Sequence, residues 1–323
     1  MLQELGVPVG RPDLHAGTPF VEDRDLTLIS VAYRNNSLIG DQVLPRTAVA
    51  EYTFGWTEFP LTDAYTLPDT RIGRKSEPNM VEFGSIQKSG IIEDFGLDDF
   101  IPARDLSAAT AAHDPRGVAT ETLTALISLS REVRVAGLVF ANASYPASQK
   151  MALAGSSQFS DAASDPIGVF QAGLDGCMLR PNTLVLGFPV WQKLRTHPRL
   201  IKAVGNVSGE GAITRKQLAD LLEIGQVLVG EGYINAAPKG LTSNMQRVWG
   251  KHAALLYLDP SASARSPRPT FGMTFEYDRR TTYAFDEPKR GARPGGTTIR
   301  VVESVREQII APHCGFFIEN AVA

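Results

Sequence analysis

The sequence predicts an α+β chain built around a protruding ribbon, and three observations carry that reading. The stretch from Glu51 to about Phe100 leaves the body of the protein as a polar excursion. An uninterrupted helix then runs from Asp114 to about Asn142. Beyond it the texture alternates between helix and strand before closing on a mainly β segment.

In the ribbon, Tyr52, Phe54, Trp56 and Phe59 begin as one strand, and Val81, Phe83 and Ile86 return as another. Between them Leu67 to Asn79 is charged, punctuated by Pro68 and Pro78, and nearly devoid of core-forming residues. Two strands alone bury too little apolar surface to be stable in water. The ribbon therefore needs a surface to lie on, which points to an assembly subunit rather than a catalyst.

Bulk properties set the bounds. With 323 residues, 43% of them hydrophobic, the chain can bury a substantial core in two or more lobes. Lys and Arg are scattered and the net charge is -3, so the basic stripe of a duplex-binding protein is missing. No apolar run reaches membrane-span length, and Met1 to Pro8 lack the pattern of a secretory signal. A cytosol-like site of synthesis is expected. Cys177 and Cys314 are the only cysteines and read as small buried apolar groups, not a redox pair. The 21 prolines and 29 glycines are spread along the chain, as in many loops and turns, not gathered in a low-complexity tail.

The elements follow in order. Residues 1–26 read as an extended arm rich in Pro, Gly and charge. Leu26, Leu28, Ile29, Val31 and Tyr33 form an apolar cluster, and Ile39 to Pro45 leads into the ribbon. Asp114 is a good N-cap and Pro115 suits the first helical turn, which has no hydrogen bond to lose. Leu123, Leu126, Ile127, Ser130, Val133, Gly137 and Phe140 recur at helical spacing as the inner stripe, with Thr120, Arg131 and Arg134 on other faces. Further on, helices are expected after Ser164-Asp165, from Pro189 through Leu200-Ile201, and after the cap Thr214. Strands are expected at Thr183 to Gly187, Val227 to Val229 and Ala253 to Leu258. Ser261 to Pro269 is a composition break. Phe271 to Tyr277, Thr281 to Phe285, Thr297 to Ile310 and Cys314 to Ile318 are the closing strands, with Arg290 to Gly296 as a turn.

A search for chemistry finds no site. His15, His113, His197, His252 and His313 lack metal-ligand spacing, and no Cys-x-x-Cys occurs. The spaced glycines of Gly225 to Gly232 surround a strand instead of opening a helix, so they mark close backbone packing and not a phosphate site. Glu93-Asp94 and Asp98-Asp99 are adjacent pairs whose members face opposite ways in a strand. Arg71, Arg74 and Lys75, with Glu77 nearby, describe a salt-bridging surface. No catalytic residue, metal or cofactor is expected.

The order of parts, together with Arg180 to Gly187, Trp191 to Leu194, His197-Pro198, Ile213 to Ala219 and Trp249 to Tyr257, resembles the major capsid protein of tailed bacteriophages, the Hong Kong 97-type fold. The resemblance implies an N-terminal arm at 1–26 and a peripheral (P) domain at 27–50 and 101–146, with its spine helix at 114–142. It implies an extended loop at 51–100 crossing a neighbouring subunit, an axial (A) domain at 147–262, and a return to the P domain at 263–323. Charged residues of the loop (Arg71, Arg74, Lys75, Glu77, Lys88, Glu93 and Asp94) would meet neighbours. Implied partners are further copies in hexamers and pentamers, a separate scaffolding protein, a portal and a decoration protein. DNA would be enclosed without specific binding, in a virion assembled from protein made in the bacterial cytoplasm, with no membrane. Some relatives join subunits through a Lys–Asn isopeptide bond; Lys75, Lys88 and Asn320 are ordinary surface residue types and are not assigned that role. Two alternatives stay open at this point: an encapsulin-like shell around a cargo enzyme, and a soluble α+β enzyme with a substrate loop at 60–80.

Overall fold

The computed structural model describes residues 22–58, 65–81, 84, 86–108, 114–205, 211–238, 240–263, 268–290 and 295–323. The arm before Glu22, Phe59, Phe83, His15, His113, and parts of the 261–269 break and the 290–296 turn lie outside the described residues. The chain divides into two units: residues 1–34, 95–127 and 279–303 form one, and 35–94, 128–278 and 304–323 the other.

In the first unit, the apolar cluster at 26–33 is a helix, Arg24–Ala32, capped by the Asp23 carboxylate, which accepts from the N–H groups of Asp25 and Leu26. Leu26 packs with Ile101, Ala119, Leu123, Ile127, Ile299 and Val301. The sheet of this unit pairs Thr281–Glu287 antiparallel with the first half of Gly296–Ile309. Asp114 caps the long helix as expected, accepting from Arg116 N–H at 3.0 Å. That helix spans Pro115–Val139, 25 residues, or about 37 Å at about 1.5 Å per residue. Arg280 pairs with the buried Glu303 at 2.9 Å and also donates to the Ser30 carbonyl.

The second unit is organised by a five-stranded sheet in the order Lys150–Ala152, Gly315–Glu319, Ala253–Leu256, Thr183–Gly187, Gln226–Gly230. Its inner strands read as unbroken apolar runs because both faces are covered. Leu184, Leu186, Val227, Val229, Ala253, Leu255, Phe316 and Ile318 face one core with helices Pro166–Asp175, Phe188–Leu194, Pro198–Ala203 and Arg215–Leu222. Val185, Leu228, Ala254, Leu256 and Phe317, one residue out of phase, face a second core with Val135, Val139, Tyr145 and Trp249. Thr214 forms the expected cap, with Gln217 completing a reciprocal capping box.

Two glycines make this sheet possible. A Cβ on Gly187 would lie 1.9 Å from the Gly250 carbonyl oxygen, and one on Gly230 would lie 2.0 Å from the Trp249 ring. The glycine spacing at 225–232 thus reflects close packing, as the sequence predicted.

Several expectations need correction. The single helix expected from Pro189 through Ile201 is two, because His197 starts a new one as N-cap and Pro198 has no N–H for a helix interior. The returning strand of the ribbon begins at Ile86, not Val81. The inner stripe of the long helix is also different: Leu126 and Val133 are exposed, while Thr120, Arg131 and Glu132 are buried. These polar groups tolerate burial because each is bonded. Thr120 Oγ1 donates to the Arg116 carbonyl. Arg131 reaches Asp41, the Leu44 carbonyl and Thr274 Oγ1. Glu132 accepts from Ile39 N–H at 2.9 Å, Gly40 N–H at 2.6 Å and the Trp249 indole.

Both cysteines are buried and free. Burial pushes the Cys177 thiol up to about 11, and burial with the nearby Cys177 pushes Cys314 up to about 12. Since the thiolate is the reactive form, both should resist a disulfide-exchange reagent at neutral pH and label at once on unfolding. Rapid labelling of the native protein, followed by mass spectrometry, would refute this.

Candidate assembly surface

The ribbon is anchored at its root. Thr53–Glu58 pairs antiparallel with Ile86–Ile91, which sets Phe54 opposite Gly90. A Cβ at Gly90 would sit 2.6 Å from the Phe54 ring, so the glycine lets that ring lie flat across its partner strand. Phe54 stacks on Phe275 with centroids 4.0 Å apart, and Tyr52 lies 4.3 Å from Tyr277. Val49, Phe54, Ile92, Met273, Phe275 and Ile310 form one apolar cluster beneath. Aromatic pairs of this kind are worth about 0.5–1.5 kcal/mol beyond the area they bury.

The tip is the opposite. Every residue from Tyr65 to Val81 is exposed, Leu67 at 90% and Met80 at 95%. Local bonds shape it: Asp69 Oδ1 accepts from Arg71 N–H, Asn79 Nδ2 donates to the Asp69 carbonyl, and Ser76 N–H donates to the Gly73 carbonyl.

The structure gathers Arg71, Arg74, Lys75 and Glu77 on this tip, all exposed and with no ion pair among the described residues. Lys88 is on the returning strand, exposed and opposite Trp56. Glu93 and Asp94 are not at the tip. They open the strand Glu93–Pro102 and have partners within the chain: Glu93 pairs with Arg306, and Asp94 accepts from Ser304 Oγ and from Tyr52 OH at 3.3 Å. Asp98 is likewise engaged, receiving two 2.7 Å bonds from Arg300. Exposed pairs such as these are worth about 0–1 kcal/mol.

Sequence reading missed the charged knot beneath the ribbon's root. Asp41 is bonded by Arg131 and by Arg46 at 2.7 Å, Arg46 also reaches Glu276 at 2.6 Å, and Glu307 receives Arg134 at 2.9 Å. Burial raises the Asp41 carboxyl, but the two guanidiniums outweigh it and hold it below its ordinary value. No local signal marked it: helical spacing set Arg131 on an outer face, whereas the structure buries it together with Glu132. Among the described residues no group of His, Cys, Asp and Glu converges as a metal site, and no helix is long and apolar enough to cross a membrane.

No protein-family model matches the chain. It is 42% identical over 309 residues to the major capsid protein of Pseudomonas phage JBD67, covering 95% of this chain and 99% of that one. Among solved structures it is similar to a phage-related protein of Bordetella bronchiseptica RB50, with a TM-score of 0.74, 22% identity, and coverage of 94% and 98%. It is also similar to the capsid of cyanophage P-SCSP1u, with a TM-score of 0.58, 10% identity and 90% of each chain covered. These structural likenesses establish the α+β Hong Kong 97-like capsid fold; the sequence relative establishes the role. The chain belongs to the major capsid proteins of tailed bacteriophages, structural and non-enzymatic proteins that self-assemble as the head shell of the virion.

Proposed function

We propose that residues 51–100 are the extended loop by which each subunit lies across the next. One observation carries this reading: the ribbon is clamped by aromatic stacking at Phe54 while its tip, with Leu67 and Met80, is bare. Exposed apolar groups beside charges that have no ion pair among the described residues suit a contact completed by another copy. Arg71, Arg74, Lys75 and Glu77 supply the charged part at the tip, and Lys88, Glu93 and Asp94 its continuation toward the root. Around this loop the reading retains the arm at 1–26, the P domain at 27–50 and 101–146 with its spine at 114–142, the A domain at 147–262 and the return at 263–323. Copies assemble as hexamers and pentamers, with a separate scaffolding protein, a portal and a decoration protein as further partners. DNA is enclosed without specific binding, which a net charge of -3 supports. In a closed shell each subunit makes many weak contacts at once, and their sum stabilises the container.

The test is charge reversal at the tip, Arg74→Glu with Lys75→Glu. Size-exclusion chromatography and negative-stain microscopy should show loss of shells, while circular dichroism finds the thermal unfolding of the subunit unchanged. Normal particles from the double variant would remove the tip from assembly.

A further inference from the structure

His252 lies just before the strand Ala253–Leu256, in the Trp249 to Tyr257 stretch that the shell-forming role leaves unexplained. Its ring stands between Phe140 and Phe317, with centroids 5.6 Å from each. Nδ1 accepts from the backbone N–H of Asn320 at 3.0 Å. Asn320 has φ of 52°, the left-handed conformation, and there the chain leaves the strand Gly315–Glu319. It delivers Ala321 and Val322 into the helix-covered core, at 0% and 3% exposure. Three further bonds hold this segment: Phe159 N–H to the Ala321 carbonyl at 2.8 Å, Gln158 Nε2 to the Asn320 carbonyl at 3.0 Å, and Ala323 N–H to Ser160 Oγ at 3.2 Å.

A ring nitrogen that accepts from an N–H must present its lone pair, so the neutral ring carries its proton on Nε2. Adding a second proton puts an N–H on Nδ1, aimed at the N–H of Asn320. An attraction becomes a clash of donors.

We propose that His252 is a proton-operated catch on the segment Asn320–Ala323: the neutral ring holds the segment in the core, and the protonated ring releases it. The charged groups around the ring are Glu319 and Lys251, with Lys150 linked to the same corner through Asn142, whose side chain donates to Glu319 at 2.7 Å. Burial and Lys251 oppose the charged ring, Glu319 favours it, and the balance lies below the ordinary histidine value. A histidine depressed in the folded state stabilises the fold fully above its unfolded value, about 6.5, and progressively less as pH falls through the lower folded one. Mild acid therefore opens the catch.

The test uses full-length protein with labelled histidine. Nitrogen NMR at neutral pH should show Nδ1 unprotonated. Amide exchange at Asn320, corrected for its intrinsic pH dependence, should accelerate severalfold as His252 titrates. Leu255 in the sheet should stay protected. The His252→Asn variant places a non-titrating oxygen near the position of Nδ1 and should make exchange at Asn320 insensitive to pH. If that variant does not fold, the wild-type measurements decide alone. A proton on Nδ1 at neutral pH, unchanged protection of Asn320 across the titration, or simultaneous exchange of Leu255 would each overturn the catch.

Discussion

Replacing Glu132 with Ala is expected to lower the unfolding free energy by roughly 4 kcal/mol, read as a lower urea midpoint. The change strands two backbone N–H groups, of Ile39 and Gly40, and the indole N–H of Trp249. Each unsatisfied buried donor costs about 1–3 kcal/mol, and water entering the vacated space recovers only part of that. Gly40 shows how closely the carboxylate is fitted, since a Cβ there would lie 2.7 Å from Glu132 Oε2. The Glu132→Gln variant should cost less, because one acceptor oxygen survives. Its cost should also depend on pH. Burial raises the Glu132 carboxyl above its ordinary value, against the donors that lower it. The folded state thus binds the proton more readily than the unfolded chain, and the wild type loses stability as pH rises from the ordinary value through the raised one. The gap between wild type and the Gln variant should be larger in acid than at neutral pH. A gap that widens toward neutrality would contradict the burial argument.

Gly187→Ala is expected to cost about 3 kcal/mol or more and to reduce soluble yield sharply. The backbone angle is not the reason: φ of Gly187 is -67°, which any residue adopts. The cost is steric, since the new methyl would meet the carbonyl oxygens of Gly250 and Trp249 at 1.9 and 2.1 Å. Neither side can easily retreat. Gly187 N–H donates to the His252 carbonyl, and its strand lies between Ala253–Leu256 and Gln226–Gly230. Gly137 on the long helix is the control, since a methyl added there would meet nothing within 4 Å. There Ala should stabilise by about 0.5–1 kcal/mol, the usual helix preference. Equal urea midpoints for the two Ala variants would refute the close approach.

Both predictions rest on contacts that the sequence displayed only in outline. The apolar runs at Thr183 to Gly187 and Ala253 to Leu256 were legible as strands because doubly covered strands need no polar alternation. Thr214 and Asp114 were legible as caps because capping is local. Burial of Arg131 and Glu132 was not, since it depends on backbone groups at 39–44 that come close only in the folded chain. Leu126 and Val133 were assigned inward for the same reason: helical spacing identifies apolar residues, but it does not say which of two neighbouring stripes has a partner. At the ribbon, Leu67 to Asn79 announced its exposure through composition. Arg306 and Ser304, which engage Glu93 and Asp94, lie more than two hundred positions away and left no local trace.

The contrast between root and tip of the ribbon divides the demands on this polypeptide. Tyr65 to Val81 contributes no buried side chain to the isolated subunit, so amino-acid changes there draw little on its folding margin. The segment can drift, or be rewritten by an engineer, without passing the filter of misfolding. Phe54 and Gly90, at the root of the same ribbon, have no such freedom.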